Sequence, residues 1–488
     1  MYEQVKNKLP LQYADLGLHR LKNIPEPVRV YRVVLEETEG PRSTISQSQR
    51  GGPRPRRAGT PLRLRGAFVL VSVLLVGGLV SARYFFLPTP NTQPLPDKPS
   101  IVVLPFVNMS GDPAQEYFSD GLTEVLTSDF SKLSGLFVIS RNSAFTYKDK
   151  AVKAREVSRE LGVRYVLEGS VQRSADRVRI TVQLIDATRD QHIWAERYDR
   201  PVTDLFALQD EIVQKIITTL RLQLTLQEQG LVVRKTTNNL GAYDSLLRGV
   251  EYFNRQTPGA NTQARQLFEQ AVALDPTYAE AYAWLGHTYW LEWWAQWNPN
   301  PQTLEQALAL AHRANALDDS LPFAHGLLAA AYLQQSRHEQ ALAAAERALA
   351  LAPNSALGCT LLASTLNFVG RPEEALGIVE QAMRLDPRSP VFYLWTLGQT
   401  YRLMGRYEEA IAAQKRALSR NPNHLPSYVH LASMYGELGR KEEAQAATRE
   451  ILRLSPHFSI EQLRPRLPYK DPAVIERILE GLRKAGLK

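Results

Sequence analysis

Residues 384–422, RLDPRSPVFYLWTLGQTYRLMGRYEEAIAAQKRALSRNP, carry the pattern that decides the fold. The stretch opens on a Leu-Asp-Pro triplet at 385–387 and closes on Arg-Asn-Pro at 420–422, and apolar residues recur between them at helical spacing. A Gly-Arg pair at 405–406 marks a turn in the middle of the stretch. One such unit therefore predicts two short helices joined by a turn.

The same unit recurs along the C-terminal half of the chain. The steps between the last residues of successive triplets are 43, 34, 34, 35 and 34 residues. A helix–turn–helix unit with a 34-residue period is that of the tetratricopeptide repeat, TPR. The sequence predicts six repeats over 242–458, with an insertion near 291–299 that explains the long step, and a capping helix in 459–488. The triplets end at Pro276, Asp319, Pro353, Pro387, Pro422 and Pro456.

A stack of such repeats predicts a protein or peptide partner, bound on the concave face that the first helix of each repeat forms. The tryptophans of the insertion are open to two interpretations, an aromatic recognition patch or packing of the insertion on its own repeat, and the apolar character of the side chain favours packing. The aromatic patch consists of Trp293, Trp294 and Trp297. The candidate partner-binding residues are His287, Trp290, Thr360, Asn367, Trp395, Gln399, Arg402 and Ser433.

Cysteine usage excludes several kinds of chemistry. Cys359 is the only cysteine, so the chain cannot build a disulfide, a zinc–cysteine cluster or a Cys-x-x-Cys redox pair. The histidines show no His-Glu-x-x-His motif. The sequence therefore predicts no cofactor and no metal site, and it places Cys359 at a packing position as a buried thiol.

Residues 99–230 alternate short apolar runs with helical periodicity, which predicts an α/β sandwich. The segments VLPF at 103–106, YFSDGL at 117–122, EGSV at 168–171 and HIWAERYD at 192–199 resemble the TolB amino-terminal-like domain of bacterial signalling proteins. Acidic residues of the first helix, such as Asp120 and Glu124, are interpreted as a solvated helix face, because the region has no nucleophile elbow.

Residues 66–87, GAFVLVSVLLVGGLVSARYFFL, predict a transmembrane helix, since about 20 apolar residues cross a hydrocarbon core. Seven arginines and no acidic residue lie in 41–65, within a basic linker predicted as disordered over 37–65. The positive-inside rule then predicts a single-pass protein of the bacterial inner membrane, with a cytoplasmic N-terminus and periplasmic C-terminal domains. The same arginines account for most of the net charge of +8, so no nucleic-acid partner is predicted.

The N-terminal residues 1–36 are too few to fold alone. Asp-Leu-Gly at 15–17 and HRLKNIPEPVRVY at 19–31 resemble the last strands of class III adenylate/guanylate cyclase catalytic domains. In that family the metal-binding aspartates and the residues that hold the transition state come earlier than these strands. The resemblance therefore implies a fragment of a longer cyclase, without catalytic residues in this chain, and a homodimer, since such cyclases work as dimers.

The predicted fold class is an α+β multidomain protein, a membrane-anchored α/β sandwich followed by an all-α TPR superhelix. The predicted function is that of the partner-binding, regulatory region of a cyclase-like signalling protein, which as encoded is not an enzyme. Two alternatives remain at this point: a transmembrane transcription regulator of winged-helix type, and a stand-alone periplasmic TPR scaffold. The 1–34 stretch argues against the regulator, because it lacks a basic recognition helix.

Overall fold

The computed structural model describes residues 12–19, 28–34, 94–174, 176–232, 237–298, 300–388 and 390–488. The chain divides into two compact units, Met1–Leu87 and Pro88–Lys488, which are described separately. In the first unit, strand β1 (Gln12–His19) pairs antiparallel with strand β2 (Val28–Val34), with a register irregularity between Asp15 and Gly17. The cyclase resemblance at 15–17 and 19–31 thus falls partly on a two-stranded hairpin.

The second unit opens with a mixed sheet, which has six strands within the described residues. Strand β3 runs parallel to β5 on one side and to β6 on the other, and β4 pairs with β6 as well. From β6 the sheet continues antiparallel through β7 to β8. The strands are β3 (Ser100–Val103), β4 (Val107–Asn108), β5 (Phe137–Val138), β6 (Tyr165–Arg173), β7 (Arg177–Asp186) and β8 (Gln191–Pro201).

Helices cover both faces of this sheet, because β3 alternates its buried side chains between them. The helices of this part are α1 (Glu116–Ser131), α2 (Arg141–Phe145), α3 (Ala154–Leu161), α4 (Leu205–Thr219) and α5 (Leu226–Val232). Ile101 lies in the buried cluster that includes side chains of α1 and α4, and Val102 lies in the buried cluster that includes side chains of α3. This arrangement is a small α/β domain.

The rest of the unit is a TPR superhelix, with six helix pairs among the described residues. The pairs are α6 (Leu240–Phe253) with α7 (Pro258–Leu274), α8 (Ala279–Trp294) with α9 (Pro301–Leu317), α10 (Pro322–Gln334) with α11 (His338–Leu351), α12 (Ala356–Val369) with α13 (Pro372–Leu385), α14 (Val391–Leu403) with α15 (Tyr407–Arg420), and α16 (Leu425–Glu437) with α17 (Lys441–Leu454). After the last pair come α18 (Ile460–Leu463), a 3-10 turn (Arg464–Arg466) and α19 (Pro472–Lys484).

Small residues at fixed positions explain why the pairs form. Gly370, Gly405 and Gly439 follow the first helices of the last three pairs at φ of 86°, 74° and 69°, where a side chain would be strained. One alanine in each second helix is fully buried or nearly so, which lets two helices approach closely. These alanines are Ala264, Ala307, Ala341, Ala375, Ala410 and Ala444.

The structure corrects the predicted membrane anchoring. Across the ranges that the structure describes, no helix is both long and apolar enough to cross a membrane. Its longest helices, α7 and α9, have 17 residues each, about 25 Å at 1.5 Å per residue, and α7 carries Arg265 and Glu269. A hydrocarbon core is about 30 Å thick. The predicted span 66–87 and the linker 37–65 lie outside the described residues. This finding overturns the predicted single-pass inner-membrane localisation with periplasmic domains.

Candidate partner-binding face

The first helices of the last three pairs share one polar stripe. On α14 the side chains of Trp395, Gln399 and Arg402 follow each other at the spacing of one helix face. Gly398 of the same helix faces the second helix instead, since a Cβ there would lie 2.3 Å from Gln414 Nε2. We call the stripe the first-helix face, and it consists of Asn367, Trp395, Gln399, Arg402, His430 and Ser433.

Arg402 is engaged inside the molecule. Its side chain is 3% exposed, and Nη2 donates to Ser433 Oγ at 2.6 Å and to the Glu437 carboxylate. Tyr407 donates its hydroxyl to the same carboxylate at 2.7 Å, and Ser433 Oγ donates to the Ile478 carbonyl at 2.8 Å. A buried guanidinium needs such partners. Two of the predicted binding residues, Arg402 and Ser433, therefore join the fifth and sixth pairs to each other and to α19.

Thr360 and Asn367 lie one pair earlier, on α12. Thr360 is fully buried, and its hydroxyl donates to the Ala356 carbonyl one turn back at 2.8 Å, so its donor is used within its own helix. Asn367 Nδ2 donates to Thr400 Oγ1 at 2.9 Å. The other half of that amide, Oδ1, has no hydrogen-bond partner among the described residues.

Five buried polar atoms of this face, Asn367 Oδ1 included, lack a hydrogen-bond partner within the described part of the chain. Leaving such an atom unpaired costs about 1–3 kcal/mol. Burial, and then the nearby Arg402 charge, lowers the pKa of His430 to about 3, so its ring is neutral near pH 7. Apart from the cationic Arg402 Nη1, the face thus holds neutral donors and acceptors. The atoms are Asn367 Oδ1, Trp395 Nε1, Gln399 Oε1, Arg402 Nη1 and His430 Nδ1.

His287 and Trp290 lie on α8 within an aromatic cluster of half-buried rings. The His287 ring stacks on Phe323 with 3.8 Å between centroids, and burial lowers its pKa to about 4. Trp290 stacks on Trp294 at 5.9 Å. The Trp290 Nε1 donor has no partner among the described residues. An unprotonated imidazole and an indole N–H therefore border the cluster.

The predicted insertion 291–299 spans the end of α8, and the residues after the helix turn back onto it. The backbone N–H of Trp297 donates to the Glu292 carbonyl at 3.0 Å, and the side chains of Trp293, Trp294 and Trp297 are all half-buried. Trp294 stacks on Trp290 within the same repeat, and part of each indole is still open. The aromatic-patch interpretation stays a prediction.

Tyr469 lies beside the first-helix face, although the sequence did not predict it as a residue of the site. Tyr469, from the segment before α19, is 6% exposed and packs on Phe368, while its hydroxyl accepts from Gln399 Nε2 at 3.2 Å. The prolines at 465, 468 and 472 break the helical pattern there. Nothing in the repeat pattern indicated where that segment lies.

The α/β domain docks on loops between the pairs. Ser143 Oγ donates to Asp386 Oδ1 at 2.5 Å, and Ser140 N donates to the Leu385 carbonyl at 2.8 Å. Asp386 is fully buried, and burial raises the pKa of its carboxyl. Cys359 lies in the same interface cluster, where burial raises the pKa of its thiol to about 12. The α/β domain and the fourth pair therefore form one packed body.

The acidic residues of α1 are neutralised by cationic neighbours. Lys148 Nζ lies 2.6 Å from Asp120 Oδ2, and Arg141 Nε lies 2.5 Å from Glu124 Oε2. No group of three or more His, Cys, Asp or Glu side chains that could hold a metal ion occurs among the residues the structure describes. What this geometry offers is ion pairing within the domain.

Sequence families match both parts of the second unit. Tetratricopeptide-repeat families match residues 259–291, 324–355, 356–423 and 425–458. The family described as HilA/YgeH-like transcriptional regulator, second domain, matches residues 97–215. The fold and these matches define a TPR protein that carries an α/β domain, and the predicted TPR array is confirmed. The predicted TolB-like character of residues 99–230 is not supported.

A curated relative covers the whole chain. "Putative adenylate cyclase 3" of Rhizobium meliloti (strain 1021) is 40% identical over 488 residues, which are 100% of this chain and 76% of the relative. The chain belongs to the family of this relative, the TPR-containing adenylate cyclase-like proteins. The cyclase resemblance is confirmed at this level, while a class III catalytic domain and a transmembrane helix are not shown.

Solved TPR structures are similar over part of the chain. The thermophilic TPR protein TTC0263 of Thermus thermophilus is 24% identical, with 40% of this chain and 98% of that chain covered and a TM-score of 0.33. Pseudomonas aeruginosa pilF is 18% identical, with 45% and 94% covered and a TM-score of 0.34. TolB from Acinetobacter baumannii, at 20% identity, covers 26% of this chain and 29% of its own, with a TM-score of 0.20. At these TM-scores the resemblance supports no argument about the present chain.

Proposed function

We propose that this chain is the partner-binding, regulatory region of an adenylate cyclase-like signalling protein, and that its TPR array binds a peptide or protein. The observation that carries the proposal is the set of buried polar atoms without partners along the first-helix face. They lie on the first helices of three consecutive pairs, at Asn367, Gln399 and His430 among others. A row of that kind suits the alternating N–H and C=O groups of an extended peptide.

The charge state of the face supports a peptide main chain as ligand. His430 is neutral near pH 7, and the cation of this face, Arg402, pairs with Glu437 through Nη2, while its Nη1 has no partner among the described residues. Neutral donors and acceptors distinguish one peptide from another by hydrogen-bond geometry, because a buried polar group that finds no partner loses its whole solvation energy. Partner side chains would add affinity at the half-buried aromatic rings of α8.

The docking of the α/β domain supports a regulatory role. The loop that carries Asp386 leads directly into α14, which holds Trp395 and Gln399. A partner that shifts α14 therefore acts on the buried Ser143–Asp386 hydrogen bond, and through it on the α/β domain. Energetic coupling between two sites requires a packed connection of this kind or its equivalent.

A library of displayed peptides, selected on the full chain, tests the binding proposal. Enriched peptides should lose about tenfold in affinity for Gln399→Leu, which removes an unpaired acceptor from the face. Gln445→Leu makes the same change at an exposed position of α17 and should bind as the unaltered chain does. Equal binding by both variants and the parent would show that the first-helix face is not the site.

A second assay tests the non-catalytic part of the proposal. The full chain, with ATP and Mg²⁺ or Mn²⁺, should form no cyclic AMP above buffer, because two-metal nucleotidyl transfer needs free carboxylates to hold the ions. In the α/β domain Asp120 and Glu124 are held in ion pairs instead. Cyclic AMP that rises in proportion to protein concentration would refute a purely regulatory role.

The match of residues 97–215 to the second domain of HilA/YgeH-like transcriptional regulators favours a second candidate, a transcription regulator. Fluorescence anisotropy of labelled duplex DNA with the full chain separates the two. Steep loss of affinity with salt would mark phosphate contacts and support the regulator. Anisotropy that does not change with protein supports the first proposal.

A further inference from the structure

The C-terminal segment, residues 464–471 with the sequence Arg-Pro-Arg-Leu-Pro-Tyr-Lys-Asp, crosses the array from the second helix pair to the fifth. Arg466 Nη2 donates to the Trp294 carbonyl at the end of α8, at 3.2 Å. His338 Nε2, at the start of α11, donates to the Pro468 carbonyl at 2.8 Å. The segment thus touches successive repeats, as a peptide bound along the array would.

The centre of the contact is Tyr469. Its ring lies 4.8 Å from the Phe368 ring, tilted by 59°, and its hydroxyl accepts from Gln399 Nε2. The next backbone N–H, that of Lys470, donates to the Phe368 carbonyl at 2.8 Å. That carbonyl belongs to the last turn of α12, where helical carbonyls have no partner within the helix. An aromatic side chain and one main-chain hydrogen bond are therefore recognised together.

Charge on the array complements the segment. Lys470 Nζ lies 2.6 Å from Glu339 Oε1, and both side chains are more than half exposed, so this ion pair adds specificity more than affinity. The carbonyl that Arg466 meets lies at the negative end of the α8 dipole, which favours a cation. The pocket for Tyr469 is thus flanked on both sides by groups that attract basic residues.

The segment is built as a tethered ligand rather than as a helix of the stack. Residues 464–466 form a 3-10 turn, and Pro468 favours an extended backbone in the residues after it, which lose little entropy on binding. After it, α19 packs on α16, where Gly481 lies against Ser433. A tether of this kind gives an effective concentration on the order of millimolar, so a modest intrinsic affinity keeps the segment in place.

The segment leaves part of the face unused. Gln399 uses its Nε2 on Tyr469, but its Oε1 has no partner among the described residues, and the same holds for Asn367 Oδ1 one pair earlier. A ligand that also satisfied these acceptors would gain hydrogen bonds that the C-terminal segment does not make. The geometry therefore allows displacement of the segment by a better-matched peptide.

We propose that residues 464–471 are an intramolecular ligand of the array, and that the partner is an extended peptide of the same chemistry. Such a peptide carries a tyrosine directly after a proline, a lysine directly after the tyrosine, and an arginine two positions before the proline. It binds by displacing the C-terminal segment from the Phe368–Gln399 pocket. The inference rests on the proposed function, since it names the ligand class of the same face.

The test uses the full chain and a fluorescein-labelled peptide, RPRLPYKD, with blocked ends. Anisotropy titrations should show weak binding to the parent chain, because the tethered segment competes. Tyr469→Ala should bind the peptide about tenfold more tightly or better, since it empties the pocket. Lys484→Ala changes an exposed residue of α19 and should match the parent. A peptide with alanine in place of tyrosine should bind none of them.

Equal affinity of Tyr469→Ala and the parent for the labelled peptide, with unchanged circular dichroism, would overturn the inference. If Tyr469→Ala fails to fold, Lys470→Glu decides: it keeps the buried ring, breaks the exposed pair with Glu339, and should tighten binding about threefold. No tightening there refutes the inference too. If the inference is refuted but peptides selected from the library still lose affinity for Gln399→Leu, the proposed function holds without it. If those peptides bind Gln399→Leu as well as the parent chain, the proposed function is refuted together with the inference.

Discussion

Gly481→Ala should loosen α19 from α16. A Cβ at position 481 would lie 2.4 Å from the Ser433 carbonyl oxygen and 2.7 Å from Ser433 Oγ, closer than a side-chain carbon can approach. The helix must move away, which strains the Ser433–Ile478 hydrogen bond of 2.8 Å. Overpacking of this kind costs about 1–3 kcal/mol, and the better helix propensity of alanine returns about 1 kcal/mol.

The matched control is Gly377→Ala, the same substitution inside another helix, α13. No heavy atom of the described residues lies within 4 Å of the added Cβ there, apart from the neighbours along the helix itself. Gly377→Ala should therefore stabilise by about 0.5–1 kcal/mol. The difference between the two variants isolates the steric cost against Ser433.

Urea unfolding followed by circular dichroism measures both free energies, and the midpoints suffice if the slopes agree. Gly481→Ala should unfold at lower urea than the parent, and Gly377→Ala at higher urea. Trypsin should also cut Gly481→Ala near its C-terminus before the array is digested. Equal midpoints for the two variants would show that α19 does not pack on α16 as described.

Three further predictions follow from burial and charge. Burial lowers the pKa of His430 to about 3 and that of His424 to about 4, so each ring contributes its full stability above pH 6.5 and loses about 2 kcal/mol of it at pH 5. The thermal midpoint of His430→Gln should therefore fall less steeply with decreasing pH than that of the parent chain, and an equally steep fall would contradict the burial of a neutral His430. Asp386→Ala should lower the free energy of unfolding in urea by about 2–3 kcal/mol, because it leaves Ser143 without its acceptor. Asp386→Asn should lower it less, since the amide oxygen still accepts, and equal losses would exclude this hydrogen bond as the cause. Cys359 should react with maleimide only after unfolding in urea, because its thiol is buried and burial raises its pKa to about 12. Rapid reaction of maleimide with the folded chain would disprove that burial.

The repeat array could be read from the sequence because its determinants are local. The triplet ending at Pro387, the turn glycine Gly405 and the packing alanine Ala410 each act within one 34-residue unit. Periodicity therefore predicts helices and their pairing, and the family matches confirm that part. The small mixed sheet followed from the same reasoning, since strands and helices alternate in residues 99–230.

The contacts that shape the candidate site are not local. Gln399 meets Tyr469 across 70 positions, and Glu339 meets Lys470 across 131. A period fixes which residues face inward, but it carries no information on which distant segment covers them. The sequence named Arg402 and Ser433 as candidate partner-binding residues, and it did not indicate that both also hold the fifth and sixth pairs and α19 together.

The predicted location in the inner membrane was wrong, and it rested on one apolar run of the sequence. The apolar run 66–87 satisfied a length criterion for a membrane span, but it lies outside the described residues, and none of the described helices is long and apolar enough to cross a bilayer. The TolB resemblance rested on short segments such as 103–106 and 168–171. Short buried strands are similar in many folds, because apolar β-branched residues fill them all.

Hydrogen–deuterium exchange of the full chain, with and without a saturating peptide selected from the library, shows which helices the peptide covers. Protection is expected along the first helices α12, α14 and α16, together with faster exchange in residues 464–471 when the peptide displaces them. Protection confined to the second helices α13, α15 and α17, or to the sheet of the α/β domain, would refute binding at the first-helix face.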